Sequence, residues 1–318
     1  MKTLRQCVED ARAAKTAVGH FNISDIEGFW AVVQAAQALS TKSDRDIPVI
    51  IGVSEGERDF IGVAQARVLV DSVNMTKNAS GPAAGKPTYP PIYLNADHTY
   101  SFDRVREVID AGYDSVIFDG TQMSFDDNVA TTKKCVEYAH AKMAELRASG
   151  KSEFVNRDII IEAELGFIGK SSEVHDAIPA GVSFGEEALT TVDQAKAFIT
   201  ATGADMLAPA IGNMHGLLKN MPKPALNIGR ISEISQAVGI PLVLHGGSGD
   251  SESDLVAAIS AGIVIVHINT ELRVAYRNAL RLSLQDNPDE VAPYRYLKPA
   301  VQAMQAVVEK KLAIFNKL

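Results

Sequence analysis

The chain has 318 residues, 46% of them hydrophobic and 22% charged, with a net charge of -8 and a pI near 5.4. That make-up buries a full core, and acidity without a dense basic block argues against a nucleic-acid partner. No apolar run reaches membrane-spanning length, and the two cysteines, Cys7 and Cys135, have neither metal-ligand nor redox spacing, which fits a reducing compartment. The first ten residues carry charges where a secretion signal would need an apolar stretch, so a cytoplasmic location and no membrane partner are expected.

Short β-branched or apolar runs bounded by turn residues occur at 17–22, 47–54, 91–97, 115–120, 158–164, 204–212, 240–246 and 262–269. Between them, helical spacing of apolar residues appears at 26–39, 60–75, 102–111, 127–146, 192–201, 228–238 and 253–261. Strand and helix alternate throughout, which favours parallel strands joined by crossover helices. Eight such units predict a closed (β/α)8 barrel, a TIM barrel, read as one domain over 1–318. Additional C-terminal helices are expected at 271–284 and 298–315. Two connections are long: 77–89, a surface insertion or binding loop, and 166–187, which reads as a lid because it follows Glu162 and Glu164.

Polar residues recur at the carboxyl ends of these strands: Asn22, Ser54, Asp97 with His98, Asp119, Glu164, His215, His245 and Asn269. In a barrel those ends share one rim, where active sites sit. His98, His215 and His245 would converge there and hold a divalent metal with one position left open. Asp97 stands beside the first of them, where a carboxyl could move a proton to or from a substrate oxygen. Asp119 and Glu164 are candidate additional ligands. Gly216, Gly246 and Gly247 let backbone approach a ligand closely. The run His245-Gly-Gly-Ser-Gly-Asp, with Ser248, and the later Asn269-Thr270 suit a phosphate group. The pattern therefore reads as metal-assisted acid/base chemistry on a small polar molecule.

The ordered motifs Ala17-Val-Gly-His-Phe-Asn-Ile, Ala96-Asp-His, Gly112-Tyr-Asp-Ser-Val-Ile-Phe-Asp-Gly-Thr, Ile161-Glu-Ala-Glu-Leu-Gly, Ala210-Ile-Gly-Asn-Met-His-Gly, Pro241-Leu-Val-Leu-His-Gly-Gly-Ser-Gly and Ile268-Asn-Thr-Glu-Leu span nearly the whole chain. Together they resemble the class II, metal-dependent fructose-bisphosphate aldolase family, also called ketose-bisphosphate aldolases. The resemblance implies Zn²⁺, or another divalent ion such as Co²⁺, on His98, His215 and His245. It implies Asp97 as proton donor to the aldehyde oxygen, and an alternative metal position at Asp119 and Glu164. Gly216, Gly246 to Ser248 and the Asn269–Thr270 region would hold a dihydroxyacetone phosphate moiety, with Asn22 and Ser54 on the rim nearby. A phosphorylated ketose, most simply fructose 1,6-bisphosphate, would be cleaved to dihydroxyacetone phosphate and an aldehyde such as glyceraldehyde 3-phosphate, in a homodimer or homotetramer. The chemistry agrees with the residues: aldol cleavage needs an enediolate stabilised, which a metal does as a Lewis acid, and no lysine stands at a strand end to form a Schiff base instead.

Three positions depart from the family pattern. Asn95 replaces the first His of His-x-Asp-His; it is not a metal ligand, so altered contacts around the ion are expected rather than its loss. The loop acid is displaced by one place, which leaves Glu173, or else His175, as the base. At the eighth strand Ile265, Val266 and His267 stand where the family has Lys-Ile-Asn, so either His267 contacts phosphate or the substrate differs at that end. An aldolase for tagatose 1,6-bisphosphate or another acidic ketose is the nearest alternative. A metal-dependent barrel hydrolase and a non-catalytic sugar-phosphate-binding protein follow.

Overall fold

Side chains on successive strand residues point to opposite faces, and in this chain that alternation builds two apolar cores with a polar column between the strands. In the computed structural model, which describes residues 2–79, 89–150, 158–169 and 172–318, the strands are β1 (Val18–Asn22), β2 (Val49–Val53), β3 (Ile92–Thr99), β4 (Ser115–Phe118), β5 (Ile160–Leu165), β6 (Met206–Pro209), β7 (Leu242–Leu244) and β8 (Ile263–Ile268). All pair in parallel with their sequence neighbours, and β1 pairs with β8, so the sheet closes into a barrel. Outward-facing residues such as Phe21, Ile51, Leu94, Phe118, Ile161 and Leu207 pack under the surrounding helices. Val18, Ile50, Tyr93, Ile160, Met206, Val243 and Ile265 face inward and fill the amino-terminal half of the barrel. Above them the inward positions turn polar: His20, Asn95, Glu162 and His267, then Asn22, Asp97 and Glu164.

The helices are α1 (Leu4–Ala14), α2 (Ile26–Ser43), α3 (Glu55–Ile61), α4 (Val63–Ala79), α5 (Phe102–Asp110), α6 (Phe125–Ala148), α7 (Val192–Thr202), α8 (Ile228–Val238), α9 (Glu252–Ala261), α10 (Thr270–Asp286), α11 (Pro293–Tyr296) and α12 (Lys298–Asn316). The eight expected strands and the crossover helices are all present; most strands are trimmed to their hydrogen-bonded centres, while the third runs on through Thr99 and the fifth through Leu165. Two differences stand out. The helix expected over 60–75 is two helices, because Gly62 at φ +96° breaks it and Ser54 starts a new one upstream. Helix α1 was not expected; Thr3 and Gln6 cap it reciprocally, and Leu4, Cys7, Val8 and Ala11 plug the amino-terminal mouth of the barrel. The expected C-terminal helices are α10 and α12. Helix α12 lays Met304, Val308, Leu312 and Phe315 against α2 and α10. Residues 80–88 of the first long connection and 170–171 of the second lie outside the described residues. Among the described residues, no helix is long and apolar enough to cross a membrane.

Candidate metal centre and active site

His98 is the penultimate residue of β3, His215 lies in the loop after β6, and His245 follows β7 directly. Their ring centroids stand 4.7 Å (98 to 215), 5.0 Å (98 to 245) and 5.9 Å (215 to 245) apart. One nitrogen from each and one carboxylate oxygen of Glu164 lie within 4.8 Å of one another. His98 reaches this position through a backbone departure: its φ is +38°, and the pairing of β3 with β4 shifts register between Ala96 and Thr99. The shift suspends strand alternation, so Asp97 and His98, adjacent in sequence, both face the rim.

The donor set fits a divalent cation. His215 Nε2, His245 Nδ1 and Glu164 Oε2 are buried and make no hydrogen bond of good geometry. Such atoms are costly to bury unless something pairs with them. His245 Nε2 is 2.7 Å from Glu162 Oε1, which assigns the ring proton to Nε2 and leaves the Nδ1 lone pair facing the cluster. His98 Nδ1 lies 3.1 Å from Asp119 Oδ2 and 3.3 Å from Glu164 Oε2. Burial by itself would depress His98, yet the carboxylates of Asp97, Glu164 and Asp119 hold its pKa well above the ordinary value, so this spot favours positive charge. His215 moves the other way; burial, then the neighbouring His98 and His245, keep it a neutral imidazole, the form that ligates metal. Asp119 is further fixed by Thr121, whose hydroxyl and amide both donate to Oδ1. Burial opposes its ionisation, but the His98 contact outweighs this and holds its pKa at about 2.

A second imidazole cluster, His20 and His267 with Asp97, lies deeper in the barrel. There the two rings stack at 3.5 Å and 6°. Lone pairs in parallel ring planes do not converge on one ion, so this group reads as a support for Asp97. His267 Nδ1 faces Asp97 Oδ1 at 3.5 Å, and its ring also stacks on His245 at 4.2 Å. His20 fits because Gly52 lacks a Cβ, which would sit 2.1 Å from the imidazole. Asn95, the departure in the third strand, accepts from His20 Nε2 through Oδ1 at 3.0 Å and donates from Nδ2 to Ser115 Oγ at 2.7 Å, so it points into the barrel and not toward the ligand cluster.

Asp97 is held from its other side. Asn22 Nδ2 donates to Asp97 Oδ2 at 2.8 Å and to Glu57 Oε2 at 2.9 Å. The buried Arg58 guanidinium donates to the carbonyls of Val53 and Asp97 and to Thr99 Oγ1, tying the ends of β2 and β3 together. Asp97 Oδ1 is left without a well-formed hydrogen bond. Ser54 starts α3 on the rim, and its amide donates to Glu57 Oε2 at 2.7 Å. Glu57, Arg58 and Glu162 are absent from the sequence-level site because nothing local marks their distant partners.

Asn22, His215, Gly216, Gly246, Ser248, His267, Asn269 and Thr270 line an inner recess with Asp97 and His98. Gly247, expected beside them, is not among the lining residues, and not all backbone amides there are free. Gly247 donates to His267 O, and Gly249 donates to Glu271. Ser248 Oγ accepts the amides of Asn269 and Glu271 at the start of α10. Asn269 Oδ1 is buried without a partner. Outside this recess opens a cavity of about 270 Å³, lined by Ser54, Asp97, His98, Glu173, His215, Asn269 and Arg273. Glu173 and His175 belong to a short ladder in which Val174–His175 pairs with Leu217–Leu218. That pairing lays the expected lid segment over the His215 loop. Gly216 permits it at φ +86°, since a Cβ there would meet Glu173 O at 2.4 Å, and His175 Nε2 lies alongside. Arg273, a guanidinium at the cavity's outer edge, pairs with Glu57 at 2.6 Å and was not singled out from sequence.

Comparison with known proteins adds independent evidence. Residues 2–318 match the family model described as fructose-bisphosphate aldolase class-II. A fructose-bisphosphate aldolase of Staphylococcus aureus (strain Mu50) is 33% identical over 99% of this chain and 96% of its own length. One from Geobacillus stearothermophilus is 32% identical with the same coverage. Among solved structures, the YdjI aldolase of Escherichia coli K12 superposes with a TM-score of 0.71 at 28% identity, covering 99% of this chain and 97% of that one. A putative fructose-1,6-biphosphate aldolase from Coccidioides immitis gives a TM-score of 0.74 at 24% identity over 99% and 96%, a likeness of fold.

Proposed function

Because the chain belongs to the class II fructose-bisphosphate aldolase family, and is therefore an aldehyde-lyase, we propose that it reversibly cleaves fructose 1,6-bisphosphate to dihydroxyacetone phosphate and glyceraldehyde 3-phosphate. The observation that carries this reading is the convergence of three strand-end imidazoles and Glu164, with unpaired atoms, beside the unpaired oxygen of Asp97. His98, His215 and His245 would hold the cation, Zn²⁺ or Co²⁺, with Glu164 and Asp119 as neighbouring carboxylates. Such an ion, when bound, supplies Lewis-acid polarisation of the ketone oxygen.

The chain's own groups do the rest. Asp97, ionised and fixed by Asn22, accepts the proton of the C4 hydroxyl as the C3–C4 bond breaks, and returns it in condensation. Glu173, exposed on the rim loop, exchanges the proton at C3. Gly216, Gly246, Ser248, Asn269 and Thr270, which line the inner recess with His267, receive the phosphate of the ketone half, and Gly247 completes the turn between Gly246 and Ser248. Ser54 and Arg273 face the outer cavity, where the aldehyde half and its phosphate would lie.

Fructose and tagatose bisphosphates differ in configuration at C4, the carbon whose hydroxyl meets Asp97. Two of the expected departures from the family pattern lie near Asp97, His267 directly against it and Asn95 behind His20, and they favour keeping tagatose 1,6-bisphosphate as the second candidate. Comparing kcat/KM for the two epimers in zinc-loaded enzyme decides the matter. Fructose 1,6-bisphosphate should be preferred; preference for tagatose 1,6-bisphosphate would overturn the substrate assignment, and release of phosphate without carbon–carbon cleavage would overturn the reaction.

A homodimer or homotetramer is proposed as well, supported by the exposed apolar Phe60, Val291 and Tyr294. Sedimentation as a monomer would contradict it. A cytoplasmic location agrees with the free, buried Cys7 and Cys135.

A further inference from the structure

Where the His215 loop meets the His245 strand end lies a lysine that the proposed reaction does not use. The Lys223 side chain is only 4% exposed. Its ammonium donates to Met214 O at 2.7 Å and to Gly246 O. Asp250 Oδ1, on a side chain 2% exposed, stands 3.5 Å away. Met214 immediately precedes His215, and Gly246 immediately follows His245. The two backbone segments crowd together here. Gly246 sits at φ +69°, and a Cβ on it would fall 2.2 Å from Met214 O. Two carbonyl oxygens and a carboxylate thus converge in a buried space, an arrangement that repels itself unless a cation sits at its centre.

We propose that the Lys223 ammonium is a built-in cation that clamps the His215 loop to the His245 strand end and removes any need for a dissolved monovalent cation at this point. It is a positioning residue: it acts through Met214 and Gly246, and touches neither ligand ring nor substrate. A lysine brings the charge on a tether, so no ion must be recruited and ordered when the site assembles. The same charge lies beside the Gly246–Ser248 turn, where it favours an anion. Asn213 reinforces the clamp, donating from Nδ2 to His245 O at 3.0 Å.

This inference rests on the aldolase reading for its effect on turnover, so the test has an arm independent of it. Lys223→Ala removes the ammonium with the chain that carries it and leaves a space, large enough for a small cation, facing the same three oxygens. In the metal-free protein, NH₄⁺ or K⁺ should raise the melting temperature of Lys223→Ala relative to tetramethylammonium at matched ionic strength, and should not do so for the wild type. In zinc-loaded enzyme, the variant should lose about tenfold or more in kcat/KM, the scale of a lost charged hydrogen-bond pair. Small cations should restore part of that loss, and tetramethylammonium none. Lys223→Arg, which keeps the charge in a larger head, covers the case in which the alanine variant does not fold, and should show no cation response. A wild type stimulated by K⁺ over tetramethylammonium, or an alanine variant indifferent to small cations in melting, overturns the proposal. Absence of aldol cleavage in the wild type would sink the aldolase reading alone, because the melting arm would still report on Lys223.

Discussion

Asp97 and His98 show how one backbone angle organises the chemistry. Ordinary alternation would send one of them out of the barrel; a φ of +38° at His98 turns both to the rim. With Asp97 held by Asn22 and flanked by His267, an Asp97→Asn change preserves shape but removes the proposed proton acceptor. Turnover should fall about a hundredfold or more while zinc stoichiometry stays the same, the scale of a lost acid/base group; unchanged turnover would remove Asp97 from the reaction. Glu162 acts one step further back. Glu162→Gln weakens the hydrogen bond that sets the His245 tautomer, so zinc affinity, read by competition with a chelating dye, should drop about 10- to 100-fold. Equal affinity would mean that His245 needs no such partner. The three histidines and Asp97 were legible in the sequence because each follows a recognisable apolar run. Glu57, Arg58, Glu162 and Lys223 were not, since their meaning lies in partners that only the closed barrel brings near. His267 was legible as a departure from pattern, but its stacking between His20 and His245 was not.

At the scale of elements, strand identity follows from short β-branched runs, and helix identity from apolar spacing, so the eight-unit order could be read directly. What could not be read is where a helix breaks or docks. Gly62 divides α3 from α4 through a single positive φ. Helix α1 did carry a signal, apolar residues at 4, 7, 8 and 11 behind a Thr3/Gln6 capping pair, but amphipathic spacing does not say which mouth of a barrel it closes. Its burial makes a prediction separable from catalysis. Leu4 is 2% exposed at the end of the barrel opposite the cluster of His98, His215 and His245. Leu4→Ala should cost about 2–5 kcal/mol in stability by denaturant titration, with kcat in the folded enzyme little changed. A comparable loss of kcat would mean that the plug communicates with the rim. The ladder joining Val174–His175 to Leu217–Leu218 belongs to the same class: two-residue strands carry too little pattern to be seen before the fold is known.

For the whole molecule, barrel closure separates labour along one axis. Apolar residues fill the amino-terminal half and give rigidity. Histidines and carboxylates fill the carboxyl half, where eight strand ends aim side chains at one volume. Unpaired buried atoms concentrate there: His215 Nε2, His245 Nδ1, Glu164 Oε2 and Asp97 Oδ1. A cation that satisfies them should stabilise the fold as well as enable the reaction, so zinc should raise the melting temperature of metal-free protein, and a His215→Ala variant should lose most of that rise. The most direct test is a titration of metal-free enzyme with Zn²⁺ while cleavage of fructose 1,6-bisphosphate is followed. Cleavage should start from zero and rise linearly to a break at one ion per chain. Full cleavage before any ion is added would contradict the assignment of His98, His215 and His245 to an essential metal.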